Sequence, residues 1–186
     1  MSKRAVPPSK VEHVMCVDPG LSGTGWSFWI KDENVNANEP RNSWRIAMSG
    51  AFTPSGEALQ DRVADLARVL HGLLVTMTAA TKATRVVLAV EHPQYFQGAG
   101  ATNASGALVS LAMAAGAALS ASALHPCCRP LLVPLSWKGN LPKEICCARI
   151  VERMRRDPAC RNWEPRTKTT HEIDAVGIGL YLQGRF

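Results

Sequence analysis

The chain has 186 residues, 46% of them hydrophobic and 19% charged, which suits one domain with a full core and excludes disordered and fibrous classes. Lys and Arg outnumber Asp and Glu by 21 to 15, for a net charge of +6, and this favours a polyanionic partner. Six cysteines with no apolar secretory stretch behind "MSKRAVPPSK" argue against a disulfide scaffold and for reduced thiols in the cytoplasm, a host's cytoplasm if the chain is viral.

Residues 1–10 read as a disordered basic arm and residues 11–186 as a single domain. Three strand-like runs come first, "VEHVMCVDP", "TGWSFWI" and "SWRIAMSGAF", the first two joined through "GLSG" as a hairpin. The polar "KDENVNANEP" between the second and third is a loop. From Glu57 to about Thr78, Leu59, Val63, Leu66, Leu70, Leu73 and Leu74 recur at helical spacing, with Ser55 as the expected N-cap.

Residues 85–93, "RVVLAVEHP", form a nearly continuous apolar run, the mark of a strand covered on both faces. After the glycine-rich "QYFQGAGATN" comes an uncharged stretch from Thr102 to Leu124, long enough to cross a bilayer. It is dominated by Ala, Ser and Gly, so a buried helix is expected rather than a membrane span, with small side chains that admit a sheet or a second copy of the helix. Then follow a short strand "PLLVP", a loop "LSWKGNLPKE", a helix from about Pro142 at its N1 position to Met154, an Arg-rich connection, and a final helix "HEIDAVGIGLYLQG". The cysteines Cys127–Cys128 and Cys146–Cys147 are adjacent pairs without zinc-ligand spacing and read as small apolar fillers. The order of elements predicts an α/β mixed sheet with helices on both faces.

Asp18 and Glu91 each end a strand expected inside that sheet, where a carboxylate is costly unless a cation meets it. Asp174 sits amid apolar residues of the last helix, and His171, three residues earlier, shares its face, whereas Glu172 points elsewhere. Taken singly, Asp-Pro-Gly is a common turn and a strand-end Glu a common salt-bridge partner. Jointly, three carboxylates and an imidazole form a hard donor set suited to Mg²⁺ or Mn²⁺ rather than to structural zinc. Two such ions can clamp the attacking and leaving oxygens of a phosphodiester.

With "VDPGLSGTGW", "VVLAVEHPQYF" and "HEIDAVGIGLYL" in hand, the chain resembles the RuvC family of Holliday junction resolvases, in the ribonuclease H-like superfamily, over roughly residues 12–183. The resemblance implies a ribonuclease H-like mixed sheet, three antiparallel strands then parallel ones. It implies that Asp18, Glu91, His171 and Asp174 bind two Mg²⁺ ions, with Mn²⁺ as a substitute. The implied reaction is hydrolysis of two symmetric strands of a four-way DNA junction, leaving 5′-phosphate and 3′-hydroxyl ends, by a homodimer. Tyr95 and Phe96 fall where the family inserts an aromatic near the junction centre, and Lys138 and Lys143 flank what resembles a shortened form of its basic DNA-contacting loop, a shortening similar to phage members. Arg149 and Arg153, with the other arginines of the last third, are expected to track phosphates.

The segment around "KDENVNANEPRNSW" is longer than the family pattern, and no basic residue lies between His92 and Asn103, which weakens the implied junction selectivity but not the cleavage chemistry. Two other readings stay open: a ribonuclease H-like RNA-processing nuclease with the same metal site, and a non-catalytic junction-binding module. The Ala-rich helix around Leu108–Leu119 is the expected dimer contact.

Overall fold

A computed structural model of the protein describes residues 13–31, 44–93, 101–167 and 169–186. In chain order it has β1 (His13–Asp18), β2 (Thr24–Lys31), β3 (Trp44–Phe52), α1 (Leu59–Thr81), β4 (Val86–His92), α2 (Ala101–Ala123), β5 (Cys128–Pro134), a 3-10 turn (Leu135–Lys138), α3 (Lys143–Arg156) and α4 (Thr170–Leu182). The strands form one sheet in the order β3-β2-β1-β4-β5. The first three are antiparallel neighbours, while β4 runs parallel to β1 and β5 parallel to β4. This is the mixed α/β sheet expected from the chain order.

Why the central strands are so apolar follows from their position. β1 and β4 are covered on both faces, so alternate residues enter two separate cores rather than a core and solvent. Met15, Val17, Leu88 and Val90 join Leu66, Leu70 and Leu74 of α1 and the alanines of α2 on one side. Val14, Cys16, Val87 and Ala89 join Ile150 and Met154 of α3 and Val176, Ile178 and Leu180 of α4 on the other. Each fully buried aliphatic side chain contributes about 1.5–3 kcal/mol of transfer free energy, so both cores drive closure.

Several local expectations are corrected. Ser55 does not cap α1: Ala58 holds the N-cap position without a side-chain bond, and the Ser55 backbone N–H instead donates to Asp65 at 2.8 Å. Pro142 is the N-cap of α3 rather than its first residue, and the loop after β5 begins with a 3-10 turn. α2 is buried along one face only, through Ala114, Ala117, Ala118 and Ala121, while Val109 and Leu111 are exposed. α1 and the part of α2 from Gly106 to Ala123 are long and apolar enough to cross a bilayer, yet each lays a face on the sheet. All six cysteines are free, four of them buried and Cys127 and Cys128 partly so, as fillers would be. The expected basic arm, residues 32–40 of the expected loop "KDENVNANEP", residues 41–43, Tyr95, Phe96 and Lys168 lie outside the described residues.

Candidate active site

Parallel register sets the first two acids side by side. Val17 of β1 faces Val90 of β4, so Asp18 and Glu91, each one residue further, emerge at the same edge of the sheet. The hairpin after Asp18 is shaped by its own sequence. The Thr24 hydroxyl donates to the Gly20 carbonyl at 2.8 Å and closes the turn. Gly25, opposite Asp18, lets α4 approach, because a Cβ there would overlap the His171 carbonyl, and a Cβ on Gly23 would crowd the His171 ring. The start of α4 therefore rests on β2, and His171 and Asp174 reach the edge where β1 and β4 end.

There the His171 Nδ1 lies 2.8 Å from Asp18 Oδ2. That hydrogen bond to a carboxylate raises the imidazole above its ordinary pKa. Glu91 and Asp174 are 6% and 3% exposed. Burial, reinforced by the charge of Asp18, pushes the Glu91 carboxyl up to about 7. Burial raises Asp174 as well, against the opposing pull of Lys138. Asp174 Oδ1 is buried without a hydrogen bond, while the buried Glu91 Oε2 faces a cation.

The cation that meets these acids is Lys138. Its Nζ stands 3.3 Å from Glu91 Oε2 and 3.3 Å from Asp174 Oδ2, with Lys143 Nζ a further 4.0 Å from Asp174 Oδ2. Burial pulls the Lys138 ammonium down, but the charges of Glu91, Asp174 and Asp18 outweigh it and its pKa is raised. Trp137 anchors this lysine from below. The indole is buried beside Gly177, with Phe186 edge-on at 5.2 Å, and the Lys138 ammonium lies 5.1 Å from its ring centroid.

Sequence reasoning assigned Lys138 to a DNA-contacting loop and missed its place among the acids. The strand register decides that place: β5 pairs parallel with β4, His92 facing Pro134, so the residues just after Pro134 emerge beside Glu91. Arg149 and Arg153 are exposed on α3. Arg155 and Arg156 are ion-paired to Glu164 and Glu152, whereas no ion pair engages Arg149 or Arg153 among the described residues. Glu172 stays out of the site. It is fully buried and accepts bonds from the Ser49 hydroxyl at 2.6 Å and from the Thr167 N–H and hydroxyl at 2.8 Å each.

Among the described residues, no set of three or more His, Cys, Asp or Glu side chains is arranged as a metal site. The donor chemistry nonetheless fits a hard divalent cation: three carboxylates converge, two of them buried with raised pKa values and one, Asp174, with an unbonded buried oxygen, while the Lys138 and Lys143 ammoniums supply compensating charge.

No family model matches the chain, and no curated protein matches it. Among solved structures, Thermus thermophilus RuvC is similar at 21% identity and a TM-score of 0.58, over 91% of this chain and 92% of that one. The fold is that of RuvC. A second structure of T. thermophilus RuvC, in complex with Holliday junction substrate, gives the same TM-score of 0.58 at 16% identity, covering 91% of both chains. The RuvC fold, a ribonuclease H-like mixed sheet, thus accounts for nearly the whole chain. The yeast mitochondrial Holliday junction resolvase is similar at 14% identity and a TM-score of 0.48, over 97% of this chain and 79% of that one.

Proposed function

We propose that this protein is a divalent-metal-dependent endonuclease that cleaves branched DNA, four-way junctions above all, by phosphodiester hydrolysis. The observation that carries the reading is the convergence of Asp18, Glu91 and Asp174 from two parallel strands and a helix onto one site, on a fold shared with RuvC.

In this reading Asp18, Glu91 and Asp174 hold the divalent ions, Mg²⁺ or Mn²⁺. The chemistry such ions supply is activation of water and neutralisation of charge developing on the phosphate. The chain's own residues do the rest. Asp18 accepts from His171 Nδ1 in the imidazolium, orients the ring and favours its protonated form, so Nε2 is set to exchange a proton with water at the scissile phosphate. Lys143 and the exposed Arg149 and Arg153 supply positive charge for the DNA backbone. Symmetric cleavage needs two sites related by a two-fold axis, and the exposed face of α2 with Val109 and Leu111 is the surface we assign to pairing of two copies. Sedimentation giving a monomer at micromolar concentration would remove that assignment.

The test is cleavage of a labelled synthetic four-way junction in Mg²⁺ beside a linear duplex of the same sequence and the Asp18→Asn protein. Paired nicks on the junction alone, absent in the variant, support a resolvase. Junction binding without cleavage in either Mg²⁺ or Mn²⁺ would instead make it a binding module. Preferential cleavage of RNA hybrids would make it an RNA-processing nuclease.

A further inference from the structure

A lysine at a flexible loop end is ordinarily free to sample solvent, but Lys138 is not placed that way. Its backbone ends the 3-10 turn that follows β5, the preceding Trp137 is buried against Gly177 and Phe186, and its ammonium bridges Glu91 and Asp174 at 3.3 Å each. The two acids it bridges are the buried ones, and Asp174 keeps a second buried oxygen, Oδ1, with no hydrogen bond. Resting on the metal-site reading above, the geometry points to Lys138 as a tethered cation that holds the acid cluster together without metal and must be displaced when a divalent ion enters.

Two physical arguments support this. Three carboxylates gathered at one point repel, and Lys138 is the side chain whose ammonium lies nearest two of them, so it offsets that repulsion whenever no ion is bound. An ammonium and a divalent ion cannot share those oxygens, because each needs the same lone pairs, so binding of one costs the other its partners. Tethering makes the lysine a strong competitor, since a group on a short linker acts at an effective concentration of order millimolar or above. The exit is open: the Lys138 side chain is 23% exposed, so it can leave the cluster without unfolding its turn, which Trp137 holds.

The experiment measures Mn²⁺ binding to the DNA-free protein from the electron paramagnetic resonance signal of unbound Mn²⁺, with no cleavage assay involved. Wild type is compared with Lys138→Met, which keeps the stem and removes the charge, and with Lys138→Arg, which keeps the charge. Circular dichroism establishes that each is folded, and Lys138→Gln serves in place of the Met variant if that one is not. The expected result is Mn²⁺ affinity at least about tenfold tighter in Lys138→Met, within the usual range of a coupling between two ligands, and near wild type in Lys138→Arg. Equal or weaker affinity in Lys138→Met overturns displacement while leaving the metal site standing. No Mn²⁺ binding to any of these proteins at millimolar ion overturns the metal-site reading and this inference with it.

Discussion

His171 Nδ1 lies 2.8 Å from Asp18 Oδ2 and ties the first turn of the last helix to the end of the first strand, across 153 positions of sequence. The bond makes each residue report on the other. In Asp18→Asn the imidazole loses its charged partner, so its titration, followed by NMR, is expected to fall from a value above the ordinary 6.5 back toward it or below. An unchanged His171 titration would mean that the contact does not form in solution. The same variant is expected to lose at least about a hundredfold in junction cleavage while binding the junction as tightly or more so, since a carboxylate has been removed beside a polyanion.

The acid cluster sets a pH dependence on stability. Glu91 titrates near 7 in the fold against an ordinary 4.5, so between those values the folded protein holds more protons than the unfolded chain, and stability falls as pH rises. His171, raised above 6.5, contributes stability below that value and loses it as pH rises through the folded pKa, which is the same sign. Without metal, the melting temperature is therefore expected to drop from pH 5 to pH 8. The Glu91 share is on the order of 3 kcal/mol, or roughly 10 °C at this size. Glu91→Gln should flatten that slope, and millimolar Mg²⁺ should raise the pH 8 value most. Parallel slopes in wild type and Glu91→Gln would refute the assignment.

Gly25 and Gly72 separate close approach from mere flexibility. A Cβ at Gly25 overlaps the His171 backbone, so Gly25→Ala is expected to destabilise by about 3 kcal/mol or more, with displacement of the start of α4. Gly72 lies exposed inside α1, where an added methyl would meet nothing within 4 Å, so Gly72→Ala should stabilise by about 0.5–1 kcal/mol. Urea unfolding of both variants reads the two signs directly.

Arg149 and Arg153 are exposed on α3, and unlike Arg155 and Arg156 on the same helix they have no acidic partner among the described residues. If each neutralises one phosphate, alanine at either position should reduce the slope of log binding constant against log salt by about 0.9, equally for junctions of different sequence. A variant that weakens binding with no change in slope would exclude a phosphate contact.

Glu172 is expected to behave as a stabilising residue rather than a metal ligand. Glu172→Ala strands the Ser49 hydroxyl and the Thr167 N–H and leaves a void, a loss of about 2–4 kcal/mol in urea unfolding. Mn²⁺ affinity of the folded fraction should stay at the wild-type value. A large fall in that affinity would place Glu172 in the site.

Much of this architecture was legible in the chain because it rests on local periodicity. A continuous apolar run marks a strand covered on both faces, and the spacing of Leu66, Leu70 and Leu74 marks a helix whatever it packs against. The i, i+3 relation of His171 and Asp174 likewise needs nothing beyond helix geometry, and it separated them from Glu172 correctly. Cap and boundary details were less legible: Ser55 is a good N-cap by residue type, but α1 starts after Ala58, and Asp65 took the Ser55 N–H instead.

The elements, their order and the three acids that end or face the sheet edge could all be read along the chain, since each depends on residues a few positions apart. What those acids meet was settled by packing in three dimensions. Parallel pairing of β5 with β4 and the wedge of Trp137 against Gly177 bring Lys138 between Glu91 and Asp174, 47 and 36 positions away along the chain. An ion pair of that kind depends on strand register and side-chain packing summed over the whole core, and no window of sequence contains it.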